Sequence, residues 1–211
     1  MEILAKNKEH LKELIKKAIK MHGNHCDLNY IDVSHIADMS YLFQSSTFNG
    51  DISAWDVSNV NNMINMFSHS QFNGDISQWN VSNVKDMSVM FAFSQFNNDI
   101  SAWDVSNVEN MCGVFAYSQF NGDISGWSVE NVINMAMMFN NSQFSGSITN
   151  WSCVNVNIIS NIFDNCNAPV PYWAQINNFQ ERRNAIESYH TKKLLEHSVE
   201  NKNKIINTIK I

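Results

Sequence analysis

Residues 48–71 read FNGDISAWDVSNVNNMINMFSHSQ, and residues 72–95 read FNGDISQWNVSNVKDMSVMFAFSQ. The same phrase returns every 24 residues. Trp stands at 55, 79, 103, 127 and 151. Phe stands at 43, 67, 91, 115, 139 and 163, and a second Phe column runs 48, 72, 96, 120 and 144. Met holds 39, 63, 87, 111 and 135, with Ile159 completing the column. Six units follow without insertion: 24–47, 48–71, 72–95, 96–119, 120–143 and 144–167. A unit this short cannot bury its own apolar side. Stacking lets each unit cover the exposed end of its neighbour, which is why a fixed period signals a repeat architecture.

Within a unit, Ile52-x-x-Trp55-x-Val57 has the L-x-x-L-x-L spacing of a leucine-rich repeat. That spacing predicts a strand over 54–58. The apolar period then becomes three, at 57, 60, 63 and 66, which predicts tight corners and a short 3₁₀ or α turn near 61–68. Asn49-Gly50 supplies a return turn. The expected fold is a leucine-rich-repeat-like parallel β-solenoid of six 24-residue turns.

A stack of repeats has two raw ends, and both flanks look built to cover them. In residues 1–23, Leu11, Leu14, Ile15, Ala18 and Ile19 fall on one helical face, with Gly23 as a stop. The first unit departs from the pattern, with Ile31 in the Trp column and Asn24 in the Phe column. At the other end, Ala168-Pro169-Val170-Pro171 breaks the period. Asn178-x-x-Glu181 then resembles a capping box, opening a helix to about 198. The domain reading is therefore an N-terminal capping helix at 1–23, the repeats at 24–167 and a C-terminal helical cap at 168–211. The tail KIINTIKI fits either strand or helix.

The phrase F-N-G-D-I-S-x-W-D-V-S-N-V-x-N-M-x-x-M-F at 48–67 resembles the repeat of the BspA-like leucine-rich-repeat surface proteins, over residues 24–167. The resemblance implies a right-handed solenoid that binds proteins or host surfaces. It also implies a bacterial setting, often secreted or lipid-anchored, and no catalytic residues. The N-terminus lacks the continuous apolar region and cleavage site of a signal peptide, which taken alone reads as cytoplasmic.

Net charge is −6, partitioned as +3 over 1–23, −12 over 24–167 and +3 over 168–211. Lys85 is the single basic residue among the repeats apart from His. Such a surface gains no counterion release from phosphates, so nucleic acid is not an expected partner. No run of apolar residues is long enough for a membrane span. Cys26, Cys112, Cys153 and Cys166 share no metal-ligand spacing, and read as reduced residues at small or core positions.

No nucleophile–base pair, phosphate loop or H-E-x-x-H occurs, so no catalytic residue and no cofactor is expected. Asp51, Asp75, Asp99 and Asp123 share one column, and Asp56 and Asp104 another. They could hold calcium between turns, or accept backbone N–H groups at corners. Each turn offers too few carboxylates for six to eight oxygens, so no metal is expected. The Trp column reads as inward stacking rather than a sugar platform.

Two faces remain as candidates for binding. The first is the outward side of the expected strands: Asp56, Gln78, Asn80, Asp104, Ser128 and Glu130, small, polar and acidic. The second is the variable column His69, Phe93, Tyr117 and Asn141. The expected function is a non-catalytic protein-binding repeat module, monomeric, meeting protein partners of basic character. The alternative is a structural or self-assembling repeat protein with no external ligand.

Overall fold

The structure, a computed structural model, describes residues 2–209, with side chains described to residue 200. Its elements are β1 (Ile3–Leu4), α1 (Lys8–His22), β2 (Ile31–Asp32), a 3₁₀ turn (Tyr172–Gln175) and α2 (Phe179–Ile209). β2 lies within the first repeat unit, and the other five units run on from there to the 3₁₀ turn.

The expected six-turn β-solenoid does not form. The described residues hold two strands of two residues each, which pair with one another, and two helices. Successive units meet through isolated parallel bridges, Asp38 to Asn62, Asn62 to Asp86, and on to Ile158.

Local hydrogen bonding explains why 54–58 is no strand. Asp51 Oδ1 accepts the N–H of Ser53 and Asp56 Oδ1 accepts that of Ser58. Trp55 N–H turns back to Ile52 and Val60 N–H to Val57. Asp side chains that bond two residues ahead close turns. Donors consumed in this way cannot build a strand ladder.

Pairing falls instead on 63–69, where a short helical turn was expected. Met63, Asn65, Phe67 and His69 donate their N–H groups to Asp86, Ser88, Met90 and Ala92 of the next unit. The intervening N–H groups of Met66, Ser68 and Ser70 turn back three residues, to Met63, Asn65 and Phe67. The alternation requires a left-handed backbone twice per unit. Tyr41, Asn65, Val89, Gly113, Met137 and Asn161 form one such column. Ser45, His69, Phe93, Tyr117, Asn141 and Asn165 form the other, with φ between 53° and 62° across both. Residues in that region interrupt an extended run, so no strand propagates.

Side chains supply the rest of the stitching. Asn59, Asn83, Asn107, Asn131 and Asn155 each donate an amide N–H to a carbonyl one unit back, at 2.7–2.8 Å. Asn49, Asn73, Asn97 and Asn121 accept the backbone N–H of the residue one unit ahead. The indole N–H groups of Trp55, Trp79, Trp103, Trp127 and Trp151 reach back to the carbonyls of Leu28, Ile52, Ile76, Ile100 and Ile124.

The core runs along the inner side of the paired units. Trp55, Trp79, Trp103 and Trp127 are each 4% exposed, in the inward position expected. The Phe67 and Phe91 rings stack at 5.7 Å, and Phe91 sits 4.2 Å from Phe96. Parallel offset rings add dispersion to the area they bury.

At the N-terminal end, α1 lays Leu11, Ile15 and Ala18 on the first unit. Asn7 caps it by accepting the N–H of His10, and Gly23 ends it at φ 83°. The parallel pairing of β1 with β2 was not legible in the sequence. Lys8 Nζ reaches Asp38 at 3.0 Å and also bonds Ser40 Oγ. At the other end, Asn178 caps α2 by accepting the N–H of Glu181. The helix runs on to Ile209 rather than ending near 198, carrying most of KIINTIKI with it; Lys210 and Ile211 lie outside the described residues. Among the described residues no helix is long and apolar enough to cross a membrane.

Candidate protein-binding faces

The corner between Trp55 and Val60 is set by Asx turns, and these place the first candidate face. Asp56, Gln78, Asn80, Asp104, Ser128 and Glu130 are all exposed. They do not project from a strand, because none exists there. The hydroxyl and N–H of Ser58 hold Asp56 below the usual carboxylate range, and Ser106 does the same for Asp104. Asn80 Oδ1 accepts both the N–H and the hydroxyl of Ser82. Gln78 reaches Ser77 Oγ at 3.2 Å. The acceptors of this face are thus partly engaged by the turns they build. Ser128 and Glu130 also line a cleft of about 350 Å³ shared with His190 of α2.

The other Asp column behaves likewise. The N–H and hydroxyl of Ser101 and Ser125 depress Asp99 and Asp123. Among the described residues no group of three or more His, Cys, Asp or Glu is placed to hold a metal ion.

The second face is built differently. His69, Phe93 and Tyr117 occupy the left-handed column, which turns their side chains outward while their neighbours Ser68, Ala92 and Ala116 point in. The His69 and Phe93 rings stack at 4.4 Å and 6°, and those of Phe93 and Tyr117 at 4.5 Å and 5°. Phe93 is 45% exposed and Tyr117 49%. Asn141 continues the column but is half-buried, its amide donating to Asn140. Three aromatic rings therefore form one exposed stack three units long. Their faces are turned to each other, so the stack presents ring edges to solvent.

The left-handed conformation of this column could have been read from Asn141 and Asn165, since Asn and Gly are the residues that visit it readily. In the neighbouring column Asn65, Gly113 and Asn161 give the same signal. A Val at that position, as at Val89, carries a cost that an Asn would not.

The C-terminal end holds a residue the sequence reading did not single out. Arg182 is 1% exposed, and among the described residues no carboxylate pairs with it. Its guanidinium donates to the carbonyls of Ile176, Val156 and Asn157 at 2.7–3.2 Å. At Asn157 it takes the place of a further unit's N–H, since Asn61, Lys85, Glu109 and Ile133 in that column each accept from the next unit. Burial lowers its basicity, yet guanidinium stays charged. Cys153, buried against the same end, has its thiol pushed up by desolvation, which leaves it unreactive.

A family model described as a Mycoplasma protein of unknown function, DUF285, matches residues 9–117 and 92–173, a span that takes in the six units. No match to the chain is found among curated proteins or among solved structures.

Proposed function

The chain belongs to the DUF285 family, and from that premise we propose that it is a protein-binding repeat module without catalysis, whose contact face is the aromatic stack His69–Phe93–Tyr117. One observation carries the reading. Phe93 and Tyr117 take the left-handed backbone where Asn141 and Asn165 show that a cheaper residue fits. A left-handed aromatic residue costs roughly 1–2 kcal/mol. Exposed rings return part of that by stacking, about 0.5–1.5 kcal/mol per pair. A strained, exposed, apolar feature that the core does not need supports a contact role.

Ring edges favour protein over sugar. A sugar stacks on an open aromatic face, and these faces are covered. Aromatic residues are enriched at the centre of protein contacts. The resemblance to BspA-like surface proteins supports an adhesive role at a bacterial surface, and shaving intact cells with protease would test that location. The acidic corner face then serves as a rim that steers basic partners, an effect that salt screens beyond about 8 Å.

The test compares capture by three forms of the protein after cross-linking: unaltered, Phe93→Asn with Tyr117→Asn, and Asp56→Asn with Asp104→Asn. The reading expects partners lost with the first double variant and retained, with slower association, by the second. Equal capture by the unaltered protein and the aromatic double variant would remove the stack from the function.

A further inference from the structure

Every junction between units uses the same four donors. In unit two they are Met63, Asn65, Phe67 and His69, and in unit five Met135, Met137, Phe139 and Asn141, which donate to Ile158, Ser160, Ile162 and Asp164. Unit six ends the series. Its corresponding donors are Ile159, Asn161, Phe163 and Asn165, and among the described residues no group accepts from them. The chain leaves the repeat at this point for the 3₁₀ turn and α2. The residue edge 157–164 then forms one wall of a cleft of about 620 Å³, with Val170, Ala174 and Asn177 opposite. Ile158 and Val170 are 45% and 49% exposed in it.

The two ends of the repeat array are treated differently. At the N-terminal end, α1 lies against the edge of unit one, with Lys8 on Asp38 and Ser40, and Lys12, Ile15 and Lys16 facing Leu42 and Gln44 across a narrow cleft. At the C-terminal end, Arg182 covers the corner at Val156 and Asn157 but not the edge beyond it.

The open edge offers donors only. The carbonyls of Ile159, Asn161 and Phe163 are taken by the N–H groups of Ile162, Asp164 and Cys166 within the unit. Two copies of this edge cannot pair, since donors would face donors. The complementary carbonyl edge of a second copy lies beneath α1. We propose that the unit-six edge docks a segment of a partner polypeptide, carbonyl side on, in the place a seventh unit would take. The five junctions already in the molecule define what fits: backbone carbonyls on alternate residues, with an apolar side chain over Ile158 and Val170. Backbone pairing along an open edge is an established mode of peptide recognition. The site is separate from the aromatic stack and does not depend on that stack's role.

The probe is a labelled, end-blocked peptide with the sequence of residues 85–94, whose carbonyls at 86, 88, 90 and 92 accept from unit two in the intact chain. It is titrated into the full protein while backbone amide resonances are followed. The expected result is shifts concentrated at Ile159, Asn161, Phe163 and Asn165, with slowed amide exchange there. Val170→Arg fills the cleft from an exposed position and should weaken binding at least tenfold. Phe93→Asn should leave it unchanged, which separates this site from the aromatic face. No shift at the four amides at about 1 mM peptide, or equal binding by Val170→Arg, would overturn the proposal. Shifts at those amides that track protein concentration without peptide would assign the edge to a second copy and overturn the partner segment.

Discussion

At position 79 a single side chain does two jobs. Trp79 is 4% exposed, lies tilted against Phe67 at 6.2 Å and donates its indole N–H to Ile52 of the previous unit. Trp79→Ala is expected to cost roughly 3–5 kcal/mol, read as a shift in denaturant midpoint. A cost under about 1 kcal/mol would contradict the inward column. The Trp, Phe and Met columns were legible because period and hydropathy agree at each of them. The outward column was legible only as variation: its letters His, Phe, Tyr and Asn do not state a backbone angle. The sign of φ emerges from inter-unit pairing that no single unit encodes, although Asn65, Gly113 and Asn141 hinted at it.

At the scale of elements, apolar spacing misled where polar chemistry decided. Ile52, Trp55 and Val57 do point inward. The Asp and Ser residues between them close turns before a strand can form, and the Asn residues take over the work of joining units. Asn107 donates its amide to Ser82 at 2.8 Å. Asn107→Ala is expected to cost about 1 kcal/mol, because a carbonyl loses its partner at an exposed site. Asn107→Asp should cost at least as much, since an ionised carboxylate cannot donate. Melting both variants side by side checks the donor role. Removing residues 1–23 takes away α1, β1 and the contacts of Lys8. The truncated protein is expected to associate at micromolar concentration through the uncovered edge, seen as mass growing with concentration in light scattering. A stable monomer would show that α1 is not a cap. Helix α1 was readable from its 3.6-residue period and Asn7 and Gly23 at its ends. The β1–β2 pairing was not, since two residues carry no period.

For the molecule as a whole, charge and pH follow from the corners. The N–H and hydroxyl groups of Ser53, Ser101 and Ser125 hold Asp51, Asp99 and Asp123 below the usual carboxylate range, and Ser58 and Ser106 do so for Asp56 and Asp104. A folded pKa below the unfolded value of about 3.9 adds stability above that value. It is lost as pH falls through the folded pKa. The melting temperature is therefore expected to hold between about pH 7 and 5 and to fall below about pH 4. Stability that rises on acidification through that range would show that repulsion along the columns outweighs their hydrogen bonds. These corners contribute little individually, being exposed. They matter because the same turn recurs in unit after unit.

The central claim is that Phe93 and Tyr117 are kept on a left-handed, exposed column for contact rather than for the fold. The denaturant midpoint of the Phe93→Asn, Tyr117→Asn double variant tests it most directly. Relief of backbone strain should offset the lost stacking, leaving stability within about 1 kcal/mol of the unaltered protein. A loss of about 3 kcal/mol or more, comparable to that expected for Trp79→Ala, would show that the rings serve the fold and contradict the account.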